Sequence, residues 1–251
     1  MTATLLTKTA IALIVLVILA VTNRRTILHH KALIVFFLVV YYADNLLIVL
    51  TNQFPSLQVI PNHIWEGFLV CSWSGKLYSI VFTLLVIYLT KKRLDQNEVG
   101  LTLKQKTGSV LPCILVILVL AGWAARVGIA SPKGRLDLET LAYLAIMPAL
   151  NEELVYRGYL LGIINKISPA RFNLLGASIG WGTILTSILF SLLHGFWFDN
   201  YLHIQVDFIA LSNTFLSGLV FAWLRERTGS LVMPAIAHGL EDFLFFLPRM
   251  I

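Results

Sequence analysis

Eight long apolar segments constrain the fold of this chain more than any other feature of its sequence. They cover approximately residues 4–22, 32–50, 65–89, 109–129, 139–164, 177–198, 203–224 and 231–248. Each is close to the roughly 20 residues that an α-helix needs to cross the hydrocarbon layer of a bilayer. The ten-residue segments of alternating polarity that are typical of membrane strands do not occur. The sequence therefore predicts an all-α, polytopic transmembrane helical bundle with about eight spans.

Composition and charge support the same class of protein. Apolar residues make up 58% of the chain and charged residues only 13%, whereas soluble domains have about 45–50% and about 25%. The formal net charge is +6, but most Lys and Arg residues lie in short loops between apolar segments. This pattern is typical of membrane orientation, and it predicts that both termini lie outside the cytoplasm. We therefore expect the lipid bilayer as a partner and no nucleic acid.

Three ionisable residues interrupt the apolar segment 139–164. A charge at the centre of a bilayer costs about 2.5–3.5 kcal/mol, so Glu152, Glu153 and Arg157 need partners or a function. At about 100° per residue, Glu153 and Arg157 lie on one face of a helix, and Glu152 lies about 140° from Arg157. We therefore expect Arg157 to neutralise Glu153 and Glu152 to point elsewhere, where it is free for chemistry. A purely structural role, in which the three residues lock helices together, is the alternative.

Two later segments carry polar residues at helical spacing. Phe190 and His194 are four residues apart, as are His238 and Asp242, so each pair shares a helix face. Gly239 allows close approach of a backbone or a substrate. Together with the glutamates, these residues resemble a site that activates water, with a carboxylate base, a histidine and donors for an oxyanion. For His194 alone, a hydrogen-bonded packing role remains the alternative.

Other polar residues in or beside the apolar segments receive a structural interpretation. We expect Asp44, Glu66 and Lys76 to make helix–helix contacts or to anchor helices at the membrane interface. His203 and Asp207 are also four residues apart, and we interpret them as a capping pair at the outer edge. The cysteines Cys71 and Cys113 both lie within apolar segments, where small apolar packing residues are expected.

Three motifs in order resemble the signature of a known family. Glu152-Glu153-x-x-x-Arg157, Phe190-x-x-x-His194 and His238-x-x-x-Asp242 are similar to the motifs of the CPBP family, the CAAX-processing and bacteriocin-processing intramembrane proteases, also called the ABI family. The resemblance covers about residues 138–248. It implies N-terminal transmembrane helices without a recognisable motif in residues 1–135. It also implies a protease core in residues 136–251, with a four-helix catalytic core in the C-terminal half of the chain.

The resemblance also implies roles for the site residues. Glu152 with His194 would activate the attacking water, Glu153 and Arg157 would organise the site, and His238 with residue 242 would stabilise the oxyanion. The expected activity is hydrolysis of peptide bonds in a membrane-associated or lipidated protein or peptide, without a required cofactor. The expected location is the plasma membrane of a prokaryote, with the site nearer the cytoplasmic side.

One residue departs from the family pattern. The last motif often ends in asparagine, whose amide can donate to an oxyanion, whereas an ionised Asp242 cannot. Asp242 must then be protonated, orient His238 or serve another role. A zinc ion held by the histidines and carboxylates is the minority alternative to a metal-free site. The alternatives to a protease are a non-enzymatic membrane partner or regulator with the same fold and a small transporter that uses the carboxylates.

Helix geometry raises a question of depth in the membrane. Glu152 lies about 12 residues from the cytoplasmic end of its segment and His194 about 17 residues from the start of the next, a gap of roughly 8 Å. A later start of the segment 177–198 would close this gap. Residues 166–178 could then lie along the interface as a feature for lateral access.

Overall fold

The computed structural model describes residues 2–65, 69–131, 134–199 and 201–250, so the predicted contact of Glu66 lies outside the described residues. The chain is mostly helical, at 74%. The helices are α1 (Thr2–His29), α2 (Lys31–Gln53), α3 (Trp73–Thr90), α4 (Gln96–Val99), α5 (Val110–Ala130), α6 (Leu138–Glu152), α7 (Leu161–Ile167), α8 (Trp181–Gly195), α9 (Phe208–Thr228) and α10 (Val232–Phe246). Short 3₁₀ turns cover Pro55–Leu57 and Leu247–Met250.

Within the described residues, four helices are long and apolar enough to cross a membrane: α2, α3, α5 and α9. Shorter apolar helical stretches cover Leu6–Val21 and Trp181–Gly195. Together with the helical content, these elements confirm a helical membrane protein. The count of about eight spans stays a prediction.

In the described part of the chain, three small antiparallel hairpins lie between helices, and the all-α prediction did not include them. They pair β1 (His63–Trp65) with β2 (Leu69–Cys71), β3 (Arg171–Leu174) with β4 (Ala177–Gly180), and β5 (Phe196–Phe198) with β6 (Ile204–Val206). Strands of three or four residues are too short to give a periodic sequence signal against an apolar background. The turn of β3–β4 is formed by Leu175 and Gly176, whose φ values are 50° and 80°. Glycine adopts a positive φ without strain, so Gly176 suits this turn.

These hairpins correct three of the predicted spans, including 203–224, which begins as a helix only at Phe208 because β6 lies at its start. The segment predicted at 65–89 begins as a helix only at Trp73, because β1 and β2 lie before it. The segment predicted at 177–198 begins as a helix only at Trp181, because β4 occupies its start. The helix of that span therefore starts later than hydropathy predicted. A later start reduces the difference in depth between His194 and Glu152.

A π-helical segment, Glu153–Leu160, connects α6 to α7. The chain is thus helical from Leu138 to Ile167, with Pro148 inside α6. Proline has no N–H and cannot form the regular hydrogen bond to the preceding turn. All eight residues of the π-helical segment are buried. Such segments are rare and occur frequently at functional sites.

The core surrounds the π-helical segment. Val155, Tyr159 and Leu160 are fully buried and belong to a cluster with Phe37 of α2 and Leu185 of α8. By contrast, α5 exposes large apolar side chains, with Leu115 56% and Val119 75% accessible. Apolar residues that face outward have a favourable environment in lipid. The helix that carries the two glutamates is therefore central, and α5 is peripheral.

Close backbone contact joins α6 to α10. A Cβ atom at Gly239 would lie 2.5 Å from the carbonyl oxygen of Ala145. The absent side chain lets α10 approach α6, as the sequence suggested for Gly239. This contact brings the helix with His238 and Asp242 against the helix with Glu152.

Candidate active site

Glu153 lies at the centre of a buried group of charged side chains. Its Oε1 accepts one hydrogen bond from Nη1 of Arg157 at 3.0 Å and another from Nδ1 of His238 at 2.8 Å. The ion pair predicted from the spacing of four is therefore present. The second carboxylate oxygen, Oε2, is buried and has no hydrogen-bond partner among the described residues. Glu153 thus joins α10 to the π-helical segment.

Arg157 is completely buried and its guanidinium group lies between aromatic rings. Its Cζ is 4.1 Å from the ring centroid of Phe190 and 5.2 Å from that of Phe221. The Nε and Nη2 atoms have no hydrogen-bond partner among the described residues. The faces of the two rings partly compensate for this loss through cation–π attraction. The arginine therefore positions Phe190 as well as Glu153.

The imidazole ring of His238 is held from several sides. It stacks on Phe221 at 4.9 Å with an interplanar angle of 16°. Nδ1 donates to Glu153, and Nε2 lies 3.6 Å from Oδ2 of Asp242. The ring therefore has a carboxylate beside each nitrogen and can carry a proton on both.

Glu152 points away from Arg157, as predicted, but it is not free. Its Oε1 accepts a hydrogen bond from Nζ of Lys76 at 2.7 Å, and the two side chains are only 15% and 10% exposed. Glu152 also interacts electrostatically with His194 and His238. Lys76 was interpreted as a helix contact or interfacial anchor, so its place in the site was missed. The signal was a lysine within an apolar segment, where a buried counter-charge is required.

His194 lies at the exposed end of α8. Its Nδ1 donates to the carbonyl oxygen of Phe190 at 2.7 Å. Because a carbonyl oxygen can only accept, Nδ1 carries the hydrogen and Nε2 of the neutral ring keeps a free lone pair. The ring also contacts that of Phe190 at 4.5 Å between centroids. The geometry leaves Nε2 able to accept a proton or a hydrogen bond from water.

Glu152 and His194 lie at similar depths along their helices. His194 is about 13 residues from the start of α8, or roughly 20 Å along the axis. Glu152 is about 15 residues from the end of α7 at Ile167, or roughly 22 Å by the same regular rise. The β3–β4 hairpin occupies most of the intervening segment 168–180.

A chain of hydrogen bonds begins at Asn151, the residue that precedes Glu152. Asn151 is fully buried and donates to Oγ of Ser79 at 2.9 Å, and Ser79 donates to Oδ1 of Asp44 at 2.6 Å. These contacts connect α6, α3 and α2. The interpretation of Asp44 as a helix–helix contact residue is confirmed.

The proposed pair of His203 and Asp207 is wrong. His203 lies 3.5 Å from Asp199 instead, across the turn of the β5–β6 hairpin. Asp207 is the N-cap of α9, and its Oδ1 accepts hydrogen bonds from the backbone amides of Ile209 and Ala210. The capping role of Asp207 was correct, but its partners are backbone groups, and neither residue adds to the site.

Two cavities reach the charged side chains from different sides. A cavity of about 440 Å³ has mostly apolar walls from α3, α6 and α10, with Glu153 among them. A second cavity of about 410 Å³ is lined by Asp242, Glu241 and aromatic residues of α5 and α10. A larger cavity of about 650 Å³ lies among charged residues near Glu98 and Glu226 and contains none of the predicted site residues. The first of these cavities reaches Glu153 and the second reaches Asp242, so each opens onto a predicted site residue.

The described residues do not form a metal-binding set. Within the described ranges, no three His, Cys, Asp or Glu side chains are arranged so that they could hold a metal ion. The minority interpretation with zinc therefore has no supporting geometry, and the metal-free site stays a prediction.

Similarity to known proteins covers the part of the chain that holds these residues. Residues 135–244 match the family model described as type II CAAX prenyl endopeptidase Rce1-like. The matched residues are thus similar to an Rce1-like domain. The predicted CPBP relationship and the predicted class of peptide hydrolase are confirmed at the level of the family. No curated protein and no solved structure matches the chain.

The Rce1-like domain contains all six predicted site residues, Glu152, Glu153, Arg157, His194, His238 and Asp242. Their catalytic roles stay predictions, as does the division of the chain at residues 135 and 136. Lys76 and Asp44 lie outside the matched residues. The charged side chains around Glu152 therefore come from both halves of the sequence.

Proposed function

We propose that this chain is an intramembrane endopeptidase in which Glu152 and His194 activate water to cleave a membrane-associated, prenylated or otherwise lipidated polypeptide. The observation that carries the proposal is the pairing of an ionisable carboxylate with a histidine whose Nε2 is free, inside an Rce1-like domain. Both groups lie beside the buried Glu153–His238–Asp242 cluster. A carboxylate base and a histidine are the groups that general acid–base catalysis of hydrolysis requires.

The proton path follows from the acceptor atoms. A water molecule donates one hydrogen bond to Nε2 of His194, and Glu152 removes its other proton as the oxygen attacks the peptide carbonyl carbon. The proton on Glu152 then passes to the leaving nitrogen as the C–N bond breaks. The products are a carboxylic acid and an amine, and Glu152 is again ionised. Each proton that leaves the water is thereby accounted for.

His238 is the proposed donor to the oxyanion. Because Nδ1 already donates to Glu153, the donor must be Nε2. With both nitrogens protonated, the ring is a cation that lies between the carboxylates of Glu153 and Asp242. A cationic donor aimed at a developing oxyanion is a strong form of transition-state stabilisation. Asp242 then acts by orienting His238 and need not donate to the oxyanion itself.

The proposal also includes the membrane in which the protein lies and the route by which its substrate reaches the site. The excess of Lys and Arg in alternate loops favours a cytoplasmic location of those loops, and we propose the plasma membrane of a prokaryote, with the site nearer the cytoplasmic side. The mostly apolar cavity beside Glu153 offers a space for an apolar chain of the substrate. A substrate held in the bilayer could reach this cavity without leaving the lipid.

The test uses the full chain in lipid nanodiscs with an internally quenched, farnesylated peptide that ends in a C-a-a-X sequence. The wild-type chain should cleave the peptide, and Glu152→Gln should not. Glutamine can still accept a hydrogen bond from Lys76, so the fold should persist. Sequencing of membrane-protein termini in cells with wild-type or Glu152→Gln protein extends the test to native substrates. Equal cleavage by both proteins, or identical termini with both, would overturn the proposal.

A further inference from the structure

We propose that Lys76 is a positioning residue of the active site, which holds Glu152 ionised and aims one carboxylate oxygen at the attacking water. Lys76 lies on α3, outside the part of the chain that matches the family model. The inference rests on the proposed role of Glu152 as the base. It adds a helix of the N-terminal half to the catalytic apparatus.

The contact itself is short and shielded from solvent. Nζ of Lys76 lies 2.7 Å from Oε1 of Glu152, and Lys76 as a whole is 8% exposed. Arg157, a cation in the same helical stretch as Glu152, is bound to Glu153. Within the described part of the chain, Glu152 accepts its side-chain hydrogen bond from Lys76 alone. An isolated carboxylate in such a place would be strongly disfavoured in its charged form.

Other charged or titratable groups face the pair from the helices packed around it. They do not replace its close contact, because several of them have hydrogen-bond partners of their own: Asp44 accepts from Ser79, His194 donates to Phe190, and His238 donates to Glu153. The groups that interact with Lys76 or Glu152 are Lys8 of α1, Asp44 of α2, Tyr143 of α6, Tyr156 of the π-helical segment, His194 of α8, and His238 and Asp242 of α10.

The geometry assigns different tasks to the two oxygens of Glu152. Lys76 occupies Oε1, so Oε2 is the oxygen that takes the proton from water. Lys76 keeps all three of its protons during the cycle, and its charge favours the ionised form of Glu152 before the reaction. The lysine thus contributes through the carboxylate and need not touch the substrate.

The experiment compares Lys76→Gln with the wild-type chain in nanodiscs. Glutamine keeps a hydrogen-bond donor beside Glu152 but removes the charge. We expect the acid limb of the pH profile of kcat/KM to move upward by about one pH unit or more, which is about a tenfold loss on that limb. Lys166→Met is the matched control, because it breaks an ion pair of 2.6 Å with Glu98 away from the site. Its acid limb should not move.

A second measurement reads the ionisation of Glu152 without turnover. Infrared spectra of chains labelled with ¹³C-glutamate, with the spectrum of Glu152→Gln subtracted, follow this carboxylate as the pH changes. In Lys76→Gln the carboxylate band should disappear at higher pH than in the wild-type chain. Lys76→Met provides the same comparison without a hydrogen-bond donor.

The outcomes separate this inference from the proposed function. An unchanged acid limb together with an unchanged carboxylate band in Lys76→Gln would overturn the role of Lys76, even if the rate fell through lost stability. A shifted carboxylate band together with full cleavage by Glu152→Gln would instead uphold the effect of Lys76 on Glu152 and overturn the role of Glu152 as the base.

Discussion

Arg157 and Glu153 form an ion pair with 3.0 Å between Nη1 and Oε1, in which the arginine side chain is 0% and the glutamate side chain 1% exposed. Replacing Arg157 with methionine would leave a buried carboxylate with His238 as its remaining partner. We expect the free energy of unfolding to fall by about 3–5 kcal/mol, the usual cost of removing one member of a buried pair. Thermal or denaturant unfolding in a mild detergent measures it.

The double variant Arg157→Met with Glu153→Gln is the control for this ion pair. It removes both charges, so it should recover much of the stability that the single variant loses. If the single variant were as stable as the wild-type chain, the pair would have no structural role.

His194 should be essential for activity but not for stability. His194→Ala removes the free Nε2, and we expect kcat to fall by about 100-fold or more, as for other general acid–base groups. Because the side chain is exposed, the free energy of unfolding should change by only about 0.5 kcal/mol. His203→Ala is the matched control, since His203 is also exposed and lies four residues from its partner Asp199. A loss of activity in His203→Ala equal to that in His194→Ala would contradict the assignment.

Asp242→Asn tests how the last motif works. If Asp242 orients His238, the asparagine should retain most of the activity, because its amide oxygen can occupy the place of the carboxylate oxygen that lies 3.6 Å from Nε2. Asp242→Ala should lose about 100-fold in kcat, similar to the loss of an oxyanion donor. Rates with the quenched peptide measure both variants. Equal rates in the alanine variant and the wild-type chain would remove Asp242 from the site.

Gly239→Ala should force α6 and α10 apart. The new Cβ would lie 2.5 Å from the carbonyl oxygen of Ala145, and a backbone atom cannot easily move away. We expect a loss of stability of about 1–3 kcal/mol from overpacking, and a loss of activity because the two helices carry Glu152 and His238. Gly122→Ala in α5 is the matched control, since nothing lies within 4 Å of its added Cβ. That variant should be as stable as the wild-type chain or slightly more stable.

His63, the first residue of β1, provides a test by pH. Its hydrogen bond with Asp137, at 2.9 Å, raises the pKa of His63, against the lowering effect of burial. Burial raises the pKa of Asp137, but hydrogen bonds from Thr140 and His63 lower it further, so the net pKa is lowered. Asp137→Asn should therefore lower the pKa of His63, which NMR of labelled histidine can measure. The asparagine still caps α6, so an unchanged pKa would contradict the electrostatic coupling.

The shifted pKa values of His63 and Asp137 also determine how the stability of the fold depends on pH. A raised histidine pKa contributes stability that is complete below about 6.5 and is lost as the pH rises through the pKa of the folded chain. A lowered aspartate pKa contributes stability above about 3.9 that is lost as the pH falls. The contribution of the pair is therefore greatest between about pH 4 and 6.5. Asp137→Asn should therefore lower the stability in that interval and weaken its pH dependence on either side.

Contacts within one helix could be predicted from the sequence, and contacts between helices could not. The spacing of four residues gave the pair of Glu153 and Arg157, because a helix fixes the angle between its own side chains. The partner of Glu152 is Lys76, 76 residues away. The bond between His238 and Glu153 spans 85 residues. Helical periodicity carries no information about such partners, which depend on how the helices pack.

The hairpins were missed for a different reason. Residues 177–180 read as the start of an apolar helix, because hydropathy alone does not distinguish a short strand from a helix. The late start of α8 followed instead from a requirement of the chemistry, since Glu152 and His194 had to lie at one depth. A functional constraint thus corrected a boundary that composition had placed wrongly.

The π-helical segment Glu153–Leu160 has a consequence for how this protein can change in length. A π-helical turn contains one residue more than an α-helical turn. Deleting one residue there would restore a regular helix, but it would change the position and rotation of everything before the deletion relative to everything after it. Glu152 and Glu153 would then turn away from Lys76 and His238 while Tyr159 stayed in the core. Homologous chains should therefore tolerate insertions and deletions in the loops and hairpins far better than a single-residue gap in this segment.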